Sequence, residues 1–347
     1  MDMTKVLITG AYGFLGRYAV REFAEHGYDV VAFGRDPEKL QALTESLSAE
    51  KKEQTGLVPA WGQIEVYTGD FCDLRAITKA TEGVDYVIHC GALLKGWGKR
   101  EPFIKTNVEG TRNVLTACQI NHVKRLVYTS SPSAYAMENN LHITEADYNT
   151  DNHLNHYIES KILAEQLVRG QDKVPYAIIR PRGLCGVGDR NMLPVLINAN
   201  KTIGIPLFEK GEIIVDLCSI ENVALALRLC MEKDEALGQV YNITNGEPRK
   251  LTDLADRMFG ALGMKVKYRK LPFRAMYGLA GGMESLFKAL HIYNTAPMIT
   301  RYNICTLGRS QVFDITKARE ELGYAPKVSL DEMISNYAAW YKEHEMQ

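Results

Sequence analysis

Lys5-Val-Leu-Ile-Thr-Gly10-Ala-Tyr12-Gly13-Phe14-Leu15-Gly16-Arg17 is the stretch that decides how the rest of this sequence is read. Val6, Leu7 and Ile8 are a short apolar run, as in a strand buried on both faces. Tyr18 to His26 reads as a helix with Ala19, Val20, Phe23 and Ala24 on its inner side. Between them Gly10, Gly13 and Gly16 are spaced G-x-x-G-x-x-G. Glycine permits a tight turn, close approach of a pyrophosphate, and close packing of helix on strand. The free N–H groups and dipole of a helix start then favour phosphate. A glycine triplet alone is weak evidence. Its position between strand and helix favours a dinucleotide site over a plain connecting turn, so Gly10, Tyr12, Gly13, Phe14, Leu15 and Gly16 are candidate cofactor residues.

The 347 residues are 46% hydrophobic with a net charge of −1, which describes an ordinary globular chain of roughly two domains. Without a basic stripe, nucleic acid is not the expected partner. Seven cysteines are scattered and never spaced C-x-x-C, which argues against a disulfide framework or a zinc site and suits a reducing cytoplasm. No signal peptide, spanning segment or internal repeat is expected, and no metal-ligand pattern stands out.

Asp29–Phe33 reads as a second strand, ending at Gly34-Arg35-Asp36. A carboxylate at this strand end suits the ribose of NAD, an arginine the 2′-phosphate of NADP. Arg35 comes first, so NADP(H) is expected over NAD(H); the plainer reading is a solvated surface charge. Pro37–Leu47 looks helical, and Ser48–Gln63 looks like a surface insertion. Ile64–Tyr67, Val84–His89, Lys124–Tyr128, Tyr176–Pro181 and Tyr241–Thr244 read as further strands. Tyr157-Ile-Glu-Ser-Lys161 puts phenol and ammonium one helical turn apart on one face. It lies 26 residues after Ser131, behind repeated strand–helix units. Together these predict an α/β fold: a Rossmann-type doubly wound parallel sheet over 1–181, with returning segments near 214–244, and a smaller substrate-binding domain within 182–347.

The spacing T-G-x-x-G-x-x-G resembles the short-chain dehydrogenase/reductase superfamily, and Phe14-Leu15-Gly16 its extended branch. Gly69-Asp70-Phe71-Cys-Asp73 is similar to that family's G-D-φ-x-D turn, which implies contacts from Asp70 and Phe71 to the cofactor; alone it could be a helix cap at Asp73. His89-Cys-Gly91-Ala92 corresponds to H-x-A-A beneath the nicotinamide ribose, with Gly91 replacing the first alanine. Asn107-Val-Glu-Gly-Thr111 matches an N-V-x-G-T helix start, where Asn107 serves either catalysis or a capping or helix–helix hydrogen bond. Thr129 and Pro181, with Tyr157 and Lys161, complete the cofactor residues the resemblance implies. Arg180-Pro-Arg-Gly-Leu-Cys-Gly-Val-Gly-Asp189, Val215-Asp216 through Asn222-Val-Ala, and Phe313-Asp314 through Tyr324 match later segments of the branch. Leu126–Ser131, Gly96-Trp97-Gly98 and Asn245–Pro248 look like its 3β-hydroxysteroid dehydrogenase-like group. Bacterial 2-alkyl-3-oxoalkanoate reductases and sterol 3-dehydrogenases are the most similar in look. The resemblance also implies a homodimer built on the Asn107 and Tyr157 helices.

On this reading Ser131, Tyr157 and Lys161 are the catalytic residues. A phenol is a poor base near neutral pH and needs a neighbouring cation, which Lys161 would supply. Tyr157 would move the proton while hydride is exchanged with nicotinamide. The expected substrate is a hydrophobic 3-oxo or 3-hydroxy compound. A nucleotide-sugar epimerase, dehydratase or reductase and a non-catalytic NADP sensor are the alternatives. Phe273–Ile292 has helical apolar spacing through Phe273, Met276, Tyr277, Ala280, Met283, Leu286, Phe287 and Leu290, interrupted by three glycines. It reads as a lid on the pocket or as a peripheral membrane contact admitting a hydrophobic substrate.

Overall fold

The computed structural model describes residues 3–53, 61–135, 137–190 and 192–345. Seven strands form one parallel sheet: β1 (Lys5–Thr9), β2 (Asp29–Gly34), β3 (Ile64–Thr68), β4 (Tyr86–His89), β5 (Arg125–Thr129), β6 (Tyr176–Pro181) and β7 (Val240–Ile243). Their order is β7-β6-β5-β4-β1-β2-β3. Ile8 of β1 pairs with Ala32 on one side and Ile88 on the other. Strand β1 is thus paired at both edges, and helices cover both faces of the sheet, which is why the central strands read as continuous apolar runs. The chain steps outward from β1 to β3 and then returns to β4. That reversal leaves a crevice at the carboxyl ends of β1 and β4, where open α/β sheets bind ligands.

One face of the sheet is covered by Phe14–Glu25 and Ile220–Glu232, whose Ala19, Phe23, Val223 and Leu227 are buried together. The other is covered by helices carrying Val114, Ala117, Ala164 and Val168. A separate core of Leu193, Phe208, Met258, Phe259, Ile304 and Tyr337 sits in the C-terminal half. Ile315, Ala318, Leu322 and Tyr324 return to the first core. A four-stranded sheet of Arg249–Lys250, Ile214–Val215, Gln311–Phe313 and Asn140–Ile143 brings together segments far apart in the chain.

Several boundaries differ from the expectation. The first helix starts at Phe14, a turn before Tyr18, because extended Gly13 lets the chain enter the helix at once. The second runs over Pro37–Glu53, well into the supposed insertion. Residues 54–60 of that stretch lie outside the described residues, but Trp61 is buried in the first core. The fourth strand begins at Tyr86 rather than Val84. Asn107 does not start a helix. It lies in a π-helical turn, Ile104–Glu109, between Arg100–Phe103 and Gly110–Ile120. Such bulges re-aim side chains inside an otherwise regular helix.

Phe273–Ala289 is helical despite Gly278, Gly281 and Gly282. Phe273, Met276, Tyr277 and Ala280 pack on the C-terminal core. Leu286 and Leu290, placed on the same stripe by their spacing, are 55% and 60% exposed. No helix among the described residues is long and apolar enough to cross a membrane.

Candidate active site

The glycine turn after β1 is closed from two sides. Gly10 has φ +68°, and a Cβ there would lie 2.9 Å from the Cα of Gly91. A Cβ on Gly16 would lie 2.0 Å from the Gly10 carbonyl oxygen, so turn and helix touch backbone to backbone. No side chain caps the helix at Gly13, and its first turn carries no acidic residue. These free N–H groups at the crevice fit the pyrophosphate of a dinucleotide. Tyr18 Oη and the Arg17 guanidinium both donate to the Val187 carbonyl, tying the segment after β6 to this helix.

Phe71 explains the departure at Gly91. Its ring fills the space beside two glycines: a Cβ on Gly91 would stand 2.6 Å from the ring, and one on Gly110 2.5 Å. An alanine at 91 has no room while phenylalanine occupies 71. Asp70 accepts from the Cys72 N–H at 2.9 Å and faces Arg35, whose guanidinium is 3.8 Å away. The Arg35 side chain is 67% exposed at the end of β2. Asp73 is indeed a helix cap, accepting from the Arg75 N–H.

A hydrogen-bonded chain that the sequence did not signal ties the strand ends together. Thr111 gives its hydroxyl proton to the Asn107 carbonyl (2.6 Å), so it accepts from His89 Nε2 at 3.1 Å. His89 Nδ1 then accepts from Thr9 Oγ1 at 2.7 Å, and Thr9 accepts from the Gly91 N–H at 3.1 Å. This network assigns the proton to Nε2. Burial pushes the imidazole down to about 3, keeping it neutral. Asn107 accepts from the Leu93 N–H at 2.7 Å and donates to Ser160 Oγ at 2.8 Å. It thus joins the loop after β4, which carries Gly91 and Ala92, to the helix of Tyr157.

That helix, His156–Arg169, is capped by Asn155. Ser131 caps a short turn after β5, accepting from the Ser133 N–H at 3.2 Å, and Ala134 of that turn packs in one cluster with Tyr157. Burial raises the Tyr157 pKa well above that of an ordinary tyrosine; Ser131 works against this. The expected cationic partner is elsewhere. Lys161 Nζ donates to Tyr128 Oη at 2.7 Å and to the Thr129 carbonyl at 2.6 Å. Burial takes the ammonium down to about 7, with Glu165 opposing. Tyr302, from a region without a recognisable motif, joins the same cluster, its hydroxyl 3.2 Å from Ser133 Oγ. Beneath lies a buried ion pair of Glu165 and Arg180. Pro181 ends β6 beside Ile243. His156 sits at the helix start against Glu159, 3.3 Å away.

Residues 6–244 match the model of the NAD dependent epimerase/dehydratase family. The chain is 32% identical to a 2-alkyl-3-oxoalkanoate reductase of Stenotrophomonas maltophilia, covering 96% of this chain and 98% of that protein. It is 30% identical to a decarboxylating sterol-4-alpha-carboxylate 3-dehydrogenase of Candida albicans, covering 99% of both. A UDP-glucuronic acid 4-epimerase from Bacillus cereus, solved with NAD, shares the fold with a TM-score of 0.73 at 20% identity over 98% of this chain and 99% of that one.

Proposed function

The chain belongs to the NAD dependent epimerase/dehydratase family, within the extended short-chain dehydrogenases/reductases, and is an NAD(P)-dependent oxidoreductase; from that premise we propose that it interconverts a ketone and a secondary alcohol on a hydrophobic 3-oxo or 3-hydroxy compound, a steroid or a 2-alkyl-3-oxoalkanoate. The observation that carries this is the packing of the helix that bears Tyr157 and Lys161 against the turn that Ser131 caps, at the carboxyl end of β5. The names of both relatives describe an oxygen on one carbon and a carboxylate on its neighbour.

Gly10, Tyr12, Gly13, Phe14, Leu15 and Gly16 would hold the cofactor's phosphates. Asp70, Phe71, Gly91, Ala92, Asn107, Thr129 and Pro181 would line the rest. Bound there, a nicotinamide dinucleotide supplies the hydride. Tyr157 donates the proton to the carbonyl oxygen in reduction and removes it in oxidation. Ser131 orients that oxygen and favours the phenolate. Lys161 anchors the ribose and adds positive charge to the site. Exposed Arg35 supports NADP(H) over NAD(H).

The unburied Leu286 and Leu290 beside Lys288 support peripheral contact with a hydrophobic phase. Seven free thiols suit a cytoplasmic location. Pairing through the helices Gly110–Ile120 and His156–Arg169 is the proposed dimer. Light scattering in solution tests that state.

The test is NADPH consumption with a 2-alkyl-3-oxo acid and a 3-oxo steroid, NADH in parallel. Turnover that Tyr157→Phe abolishes supports the reading and chooses its branch. Silence with both substrates refutes it. The epimerase reading has the fold likeness behind it; tightly held NAD released on heating would favour it.

A further inference from the structure

Arg182 is the first residue past β6, and it has no established role in the site described above. Its backbone is fixed: the N–H donates to the Ile243 carbonyl at 3.0 Å. Gly183 follows at φ +57°, where a Cβ would strike Leu217 at 2.5 Å. The side chain is then held inside, 7% exposed, with its guanidinium carbon 5.9 Å from the centre of the Phe313 ring. Among the described residues the guanidinium makes no hydrogen bond and no ion pair. An arginine stays charged when buried, and a charge left without a partner there is unfavourable.

Its neighbours do not remove that cost. Asp216 acts on it electrostatically but commits Oδ2 to Thr244 Oγ1 (3.0 Å) and the Phe313 N–H (3.3 Å). Its Oδ1 makes no hydrogen bond. The other neighbour, Tyr302, also acts on Tyr157 and shares its apolar cluster. Strand β6 pairs with β5 as far as Thr129 and Ile179, so Arg182 leaves the sheet at the same carboxyl edge at which β5 delivers Ser131.

We propose that Arg182 binds the carboxylate that the substrate carries on the carbon next to the reacting one. A planar guanidinium accepts a carboxylate in a fork of two hydrogen bonds, and an anion supplied by the substrate completes the pairing that the fold leaves open. Placing that charge beside Tyr302 sets the neighbouring C–O carbon toward Tyr157 and Ser131. This rests on the 3-oxo/3-hydroxy reading and adds its specificity device: the enzyme selects acids over esters or ketones of equal bulk.

The experiment runs in the oxidation direction, with NADP⁺ and a 2-alkyl-3-hydroxyalkanoate against its methyl ester, because the hydroxy acid does not decarboxylate. The wild-type protein should prefer the acid by about 10- to 100-fold in kcat/KM, the scale of a charge-assisted contact. Arg182→Met should remove the preference through KM for the acid while leaving the ester rate unchanged; Arg182→Lys should restore part of it. Equal wild-type rates with acid and ester overturn the role of Arg182 without touching the oxidoreductase reading. Failure to oxidise either overturns both. A variant that loses acid and ester alike, with a lowered melting temperature, shows a structural arginine and also overturns it. The wild-type comparison holds even where Arg182→Met does not fold.

Discussion

Lys161 Nζ is bound to the phenol oxygen of Tyr128, 2.7 Å away, rather than to Tyr157 one turn back on its own helix. It also lies 4.3 Å from the centre of the Tyr128 ring. The ammonium is thereby held in a dry site at the end of β5.

A stability signature follows. Burial takes Lys161 down to about 7 from the ordinary 10.5. Between those values the unfolded chain binds more protons than the folded one, so this group makes stability rise with pH. Below about 7 the full cost of burying the charge is present; above 10.5 it is gone. The stability of wild type relative to Lys161→Met, from urea melts at pH 6 to 9.5, should therefore grow with pH. A constant difference would mean that Lys161 stays charged throughout.

Ser131 is the side chain that opposes burial at Tyr157. Removing it in Ser131→Ala should raise the phenol pKa further and shift the pH profile of oxidation to higher pH. The expected loss in kcat is about 10- to 100-fold, the value of a hydrogen bond to a charged group. Cofactor affinity should be unaffected, as read by NADPH fluorescence.

Arg35 stands exposed at the end of β2, 3.8 Å from Asp70. Arg35→Ala should weaken NADPH binding by about 10- to 100-fold and leave NADH binding within about threefold, since a 2′-phosphate is the group an arginine there would pair. Equal losses for both cofactors would count against an NADP preference.

Phe71 and Gly91 exclude each other's larger partner. Gly91→Ala should cost about 1–3 kcal/mol by forcing the ring aside. Adding Phe71→Leu should recover part of that loss. Additive melting-temperature losses in this double-mutant cycle would show that the two positions are not coupled.

The Glu165–Arg180 pair is 0% and 1% exposed. Breaking it from one side strands a buried charge, so Glu165→Gln should destabilise the fold by about 3–5 kcal/mol in urea unfolding. A cost under 1 kcal/mol would show that water or Ser130 replaces the lost carboxylate.

By itself the sequence determined the order and type of the main strands, the glycine turn and the family. Those features are local: a buried parallel strand, a glycine-bound turn and an i, i+4 pair each leave a short-range pattern. Lys161 and Tyr157 were legible as a pair on that basis, but the hydrogen-bond partner of Lys161 was not. It comes from β5, 33 residues away, and only packing brings Tyr128 under the helix. Tyr302 lies in no motif, and the segments that contain His89 and Arg182 gave neither side chain a role, for the same reason. His89 is placed by Thr9 and Thr111 on two other elements, and Tyr302 by Ser133, 169 residues distant. The shift of Asn107 into a π-helical turn was equally silent, since its contacts with Leu93 and Ser160 are tertiary. The glycine at 91 in place of alanine needed the Phe71 ring to explain it. The choice between burying a polar group with a partner and leaving it unpaired is made by the assembled interior, where an unpaired charge is most expensive.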